Sequence, residues 1–183
     1  MSVDSHYLQY LAPGYDRNEV LQDLMLTFGE DVWNFAFFIT RRADAADDVS
    51  QETFLAVYDK LYSFRGDCTI RSWLLTITRN KSYKYMNQAF IRKVTLIDQV
   101  WRNESTSSAE DVMFDQMNTK YIWKCVMKLP LKFREIIILN YHYELTAREI
   151  GELLQISEGT VKSRLHRARK KMTTLLESNN GGE

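Results

Sequence analysis

Residues 145–172 read LTAREIGELLQISEGTVKSRLHRARKKM, and their spacing predicts a short helix, a tight turn and a second helix ending in a run of Arg and Lys. In the first helix Ile150 and Leu154 share a face. Gly151, which has no Cβ, sits where a crossing helix could approach closely. Ile156 marks the turn, and Gln155 occupies it where Gly or Asn would take a left-handed conformation at less cost. Ser157 suits the N-cap of the second helix, and Glu158 suits its positive end. Val161, Leu165, Ala168 and Met172 then recur on one side, with Lys162, Ser163, His166 and Arg167 opposite. That is the pattern of a helix-turn-helix, whose second helix lays its polar face in the major groove while its apolar face packs on the first.

Charge points the same way. Residues 162–171 hold six Lys and Arg and no acid, enough to attract phosphates and release counterions. A surface helix hairpin in some all-α domain would give the same local pattern, because helix-turn-helix sequences occur outside DNA binders. The chain has 183 residues, 45% apolar and 26% charged, which excludes a disordered chain and fits one or two small globular domains. Only seven Gly and two Pro interrupt it, so helices are expected throughout. Formal net charge is zero, and a nucleic-acid partner therefore has to be argued from the distribution of charge. Cys68 and Cys125 lack the paired spacing of a zinc site or disulfide framework. With no apolar stretch of spanning length and no basic-then-apolar leader, a cytoplasmic protein is expected, neither exported nor embedded.

From about Glu19 to Phe90, Leu21, Leu24, Phe28, Trp33, Phe37 and Phe38 mark a first helical domain. Residues 91–117, with the polar acidic run 103–111, read as a flexible linker. A second domain follows at 118–178, with one helix ending at Pro130 and the next carrying Phe133, Ile136, Ile137 and Tyr141. Residues 1–18 and 179–183 are expected tails, although Tyr7, Leu8, Tyr10 and Leu11 could form an apolar patch.

Two segments of the first domain carry candidate chemistry. In 44–61, DAADDVSQETFLAVYDKL, the residues Asp44, Asp48, Gln51, Glu52 and Leu55 share one acidic helical face with an apolar edge, while Val49, Phe54, Val57 and Leu61 point to a core. An acidic stripe by itself is most often a solvated face. In 64–87, FRGDCTIRSWLLTITRNKSYKYMN, Arg and Lys are interleaved with Trp73, Tyr83 and Tyr85. Basic groups can track a phosphate backbone while aromatic faces stack on unpaired bases. The loop 65–71, leading into a helix near Ser72, could enclose one flipped base. Trp73 and Ile77 serve equally well as core residues, since aromatics at helical spacing usually pack inward.

Together, DDVSQETFLAVYDKL at 47–61, FRGDCTIRSWLLTITRN at 64–80 and KLPLKFREIIILNYHYELTAREIGELLQISEGTVKSRLHRARKKM at 128–172 resemble the bacterial sigma factors. The likeness is to the small extracytoplasmic-function group, which has domains two and four only, and it extends from about Glu19 to Leu176. The resemblance implies an all-α fold of two small helical domains. It also implies that Asp44, Asp47, Asp48, Gln51, Glu52 and Leu55 dock on the clamp helices of the polymerase β′ subunit. Asp67, Cys68, Thr69, Ile70, Arg71, Trp73, Arg79, Asn80 and Lys84 would shape the −10 pocket and contact the opened strand. In the −35 duplex, Lys162, Ser163, His166 and Arg167 would reach base edges, with Thr160 beside them and Arg164, Arg169 and Lys170 on phosphates. The implied partners are core RNA polymerase (β′ clamp helices and β flap), promoter DNA and an anti-sigma factor, often membrane-anchored. No catalytic residue, metal or cofactor is expected, since His6, His142 and His166 have no metal-ligand spacing and there is no phosphate-cradling glycine loop or nucleophile elbow. The main alternative is a regulator that binds duplex DNA unaided; an all-helical hydrolase built from scattered residues is a more distant one.

Overall fold

The computed structural model describes residues 16–95 and 120–180. The chain divides into two compact units, Met1–Asn103 and Glu104–Glu183, and among the described residues every regular element is helical.

In the first unit, α1 (Arg17–Thr40) starts on an Asp16 cap whose carboxylate accepts from the Asn18 N–H. The helix thus begins inside the expected N-terminal tail. Arg17 lies 4.3 Å from the Tyr62 ring centre and 5.2 Å from that of Tyr58, fastening this end to the last turn of α2 (Ala43–Lys60) and the residues just after it. α1 ends where Arg41 turns left-handed, φ 60°, and donates its N–H to the Phe37 carbonyl. A short 3₁₀ turn, Leu61–Ser63, follows α2, and the chain then enters α3 (Ile70–Thr95). The three helices pack on one another.

Their core is a direct product of helical spacing. Val20, Leu24, Phe28 and Val32 repeat every fourth residue along α1 and meet Phe54 and Val57 of α2, Leu61, and Ile70, Leu74 and Ile77 of α3. Burying each such side chain is worth about 1.5–3 kcal/mol. The start of α3 differs from expectation, because Thr69 caps it: its Oγ1 accepts from the Ser72 N–H at 3.1 Å. The helix therefore opens at Ile70, and it runs on to Thr95, into the expected linker. The polar run 103–111 and the possible apolar patch at Tyr7, Leu8, Tyr10 and Leu11 lie outside the described residues.

The second unit comprises α4 (Lys120–Lys128), α5 (Leu131–Tyr141), α6 (Ala147–Leu154) and α7 (Glu158–Asn180). Pro130 separates α4 from α5, and its carbonyl accepts from Phe133 and Arg134. Thr146 and Glu149 form a reciprocal capping box at the start of α6. Cys125, Ile136, Ile138, Leu139, Ile150, Val161 and Ala168 are buried, and α7 packs on α4, α5 and α6.

Candidate nucleic-acid interface

The turn between α6 and α7 is made by backbone geometry. Gln155 takes the left-handed conformation, φ 57° and ψ 46°, without being Gly or Asn, and the Ile156 N–H returns to the Gly151 carbonyl at 2.9 Å. A Cβ on Gly151 would lie 2.8 Å from the Ile156 carbonyl oxygen. The close approach expected at Gly151 is therefore that of the turn itself, more than of a crossing helix. Ser157 then caps α7, its Oγ accepting from the Thr160 N–H at 3.2 Å.

On α7, Val161, Leu165 and Ala168 are buried and Met172 is half-buried, while Lys162, Ser163, His166, Arg167 and Lys170 are exposed. Thr160 is half-buried, its hydroxyl 2.9 Å from Ser157 Oγ and its carbonyl taking the Ser163 hydroxyl at 3.0 Å. Arg164 lies half-buried on the flank. Arg169, expected on a phosphate, is exposed, and one of its donors is engaged within the unit: its Nε donates to the Tyr141 hydroxyl at 2.7 Å. There it borders an open apolar groove of ≈ 410 Å³ lined by Trp123, Ile137, Tyr141 and Met172. Lys162 pairs with Glu158 at 2.6 Å, and the hydrogen bond from Lys162 holds the Glu158 carboxyl below the usual carboxylate range.

Of the residues expected around a flipped base, Asp67 is exposed, Cys68 and Thr69 are half-buried, and Ile70 is 2% exposed within the core. Ile70 therefore supports the loop from below and offers no surface to a base. Arg71 Nε donates to Asp31 of α1 at 3.0 Å, so at least one of its donors ties helix to helix. Trp73 is half-buried and packs against the core, its ring 5.1 Å from that of Phe64. Farther along α3, Arg79 lies over the Tyr83 ring at 4.5 Å, and Asn80 and Lys84 are exposed.

On α2, Asp44, Asp47, Asp48, Gln51, Glu52 and Leu55 are all exposed, Leu55 to 67%. Three of the acids have intramolecular ties. Arg42 grips Asp44 through two N–H donors, Asp47 accepts the Trp33 indole N–H at 2.7 Å, and Glu52 accepts from Lys81 at 3.2 Å. The Arg42 hydrogen bond holds the Asp44 carboxyl below the usual range. These ties were not read from sequence, because Trp33, Arg42 and Lys81 reach the stripe from other elements or from before the helix. Among the described residues, no cluster of His, Cys, Asp and Glu could hold a metal ion, and no helix is long and apolar enough to cross a membrane.

Residues 24–89 match the family described as Sigma-70 region 2, and residues 119–172 match Sigma-70, region 4. The chain is 29% identical over 159 residues to the ECF RNA polymerase sigma factor SigM of Bacillus subtilis, covering 85% of this chain and 94% of that one. It is 30% identical over 156 residues to the RNA polymerase sigma factor SigZ of the same organism, covering 81% and 86%. Among solved structures it resembles the sigma factor RpoE of Bartonella quintana, determined in complex with the anti-sigma factor NepR. That match has a TM-score of 0.65 at 25% identity and covers 85% of this chain and 95% of the other.

Proposed function

This chain belongs to the RNA polymerase sigma factors, in their extracytoplasmic-function group, and from that membership we propose how its surfaces divide the work of starting transcription. It binds core RNA polymerase and directs initiation at specific promoters. The exposed acidic face of α2, with Asp48 and Gln51 among the tied acids and Leu55 at its edge, docks on the basic clamp helices of β′, and the β flap engages the second unit. The loop 65–69 receives a flipped −10 base, with Asn80 and Lys84 along the strand. α7 enters the −35 major groove with Lys162, Ser163, His166 and Arg167 toward base edges. The proposed domain 2 runs from Asp16 through α3, and the proposed domain 4 from α4 through α7.

The protein regulates transcription and performs no covalent chemistry; the polymerase supplies the active site. It acts in the cytoplasm, where the polymerase is. An anti-sigma factor, membrane-anchored as is common in the group, holds it inactive, a reading supported by the likeness to RpoE in its complex with NepR.

The observation that carries this reading is the exposed polar row of α7, fixed at the end of a helix-turn-helix by the Gly151 turn. Transcription with purified core polymerase tests it. Initiation from a cognate promoter is expected only when this chain is added, and a chain that binds its DNA site tightly without polymerase, yet starts no transcript, would instead be a regulator acting unaided. Arg167→Ala should weaken −35 binding by about 1–3 kcal/mol at cognate sites. An equal loss on every sequence would make Arg167 a phosphate contact.

A further inference from the structure

Glu158 heads the outward row of α7, in which Glu158, Lys162, His166 and Lys170 recur every fourth residue and are all exposed. Its carboxylate meets Lys162 Nζ at 2.6 Å, with the two side chains 49% and 67% exposed. In a helix-turn-helix the N-terminal residues of the second helix contact base edges. An acid in that position is repelled by phosphates on both sides of the groove; Lys162 and the positive helix end offset part of that repulsion, and a donor on a base edge offsets more of it in a way that depends on sequence. A carboxylate, which only accepts, pairs with the cytosine N4 amino group, whereas guanine O6 and N7 only accept and suit Lys162. Four residues of helix rise separate the two Cα atoms by about 6 Å along the axis, roughly two base steps at about 3.4 Å each.

We propose that Glu158 is a specificity-determining residue of −35 recognition, selecting a cytosine one or two steps from a guanine taken by Lys162. The inference rests on the reading of α7 as the duplex-reading helix. A merely structural Glu158, stabilising the positive helix end and pairing with Lys162, would be indifferent to base sequence.

The test is selection from promoters randomised across −35, using holoenzyme assembled from core polymerase and the full chain. The wild-type protein should prefer cytosine at one position by roughly tenfold. Glu158→Ala should level that position alone, and Lys162→Ala should level the guanine. Glu158→Gln should move the preference from cytosine to adenine, because an amide pairs with adenine N6 and N7. That switch requires a folded helix and is outside the reach of a structural role. Cytosine preference that survives Glu158→Ala, or its absence in the wild type, overturns the proposal. If Arg167→Ala alters the selected sites and neither Glu158 variant does, only the role of Glu158 falls. If the wild type selects no −35 sequence at all, the reading of α7 falls with it.

Discussion

Along α3, Arg71 reaches Asp31 of α1 and Lys81 reaches Glu52 of α2, whereas along α7 Lys162 pairs with Glu158 one turn away on the same helix. Both helices are long and basic, yet their cations are placed differently. Two of those on α3 brace one helix against another, so the surface proposed for a single strand is partly built from the bundle's own ion pairs. The orientation of α7 is set by a backbone turn, and the row proposed to face bases is left to side chains that support little else. Substitutions on α3 should therefore mix stability with DNA binding, and substitutions on α7 should separate them.

The turn gives the largest expected effect. Gly151→Ala brings a Cβ to 2.8 Å from the Ile156 carbonyl oxygen, a backbone atom that cannot rotate aside. Denaturant unfolding of the full chain should show a loss of about 1–3 kcal/mol, accompanied by loss of −35 selectivity. A variant that keeps both would mean that the turn is soft and that α7 is oriented by its packing on α4 and α5.

Arg71 tests the other side of the comparison. With its side chain 48% exposed and that of Asp31 25% exposed, the pair should contribute no more than about 1 kcal/mol. Arg71→Ala and Asp31→Ala should each lower stability by that amount and slow promoter opening, and the double variant should add little, which a double-mutant cycle measures. If Arg71→Ala abolishes opening while Asp31→Ala leaves it intact, Arg71 touches DNA directly and the strut reading fails.

The distinction between strut and reader is also where sequence reading stopped. The helices, the capping residue Ser157, the left-handed turn at Gln155 and the two faces of α7 follow from local rules of spacing and capping, which depend only on neighbours in the chain. The capping box at Thr146 and Glu149 was equally local and could have been read from its spacing. Ile70 and Arg71 could not be placed that way. Their roles depend on where α1 lies, since Ile70 is buried in the core cluster to which α1 gives Leu24 and Phe28, and Arg71 is drawn to an acid 40 positions earlier. Arg169 is the same case in the second unit, because only the packing of α5 on α7 brings Tyr141 within 2.7 Å.

The smallest effect concerns Arg42 and Asp44, which resemble the local pair of α7 more than the struts of α3. Arg42 precedes α2 and grips an acid in its first turn, where a negative charge also meets the positive helix end. The Arg42 hydrogen bond lowers the Asp44 pKa in the folded chain. The pair's contribution is therefore complete above the unfolded carboxylate value near 3.9 and is lost as pH falls through the lower folded value. Asp44→Asn should destabilise at pH 7 by at most about 0.5 kcal/mol, both side chains being about 60% exposed. The difference from wild type should close as pH drops below the ordinary carboxylate range, and 1 M salt should shrink it at pH 7. A larger loss that persists at low pH and high salt would mean that Asp44 acts through its uncharged contacts with the start of α2. The acidic face would then owe part of its shape to that residue, and Asp44 could no longer be treated as a charge offered to the polymerase.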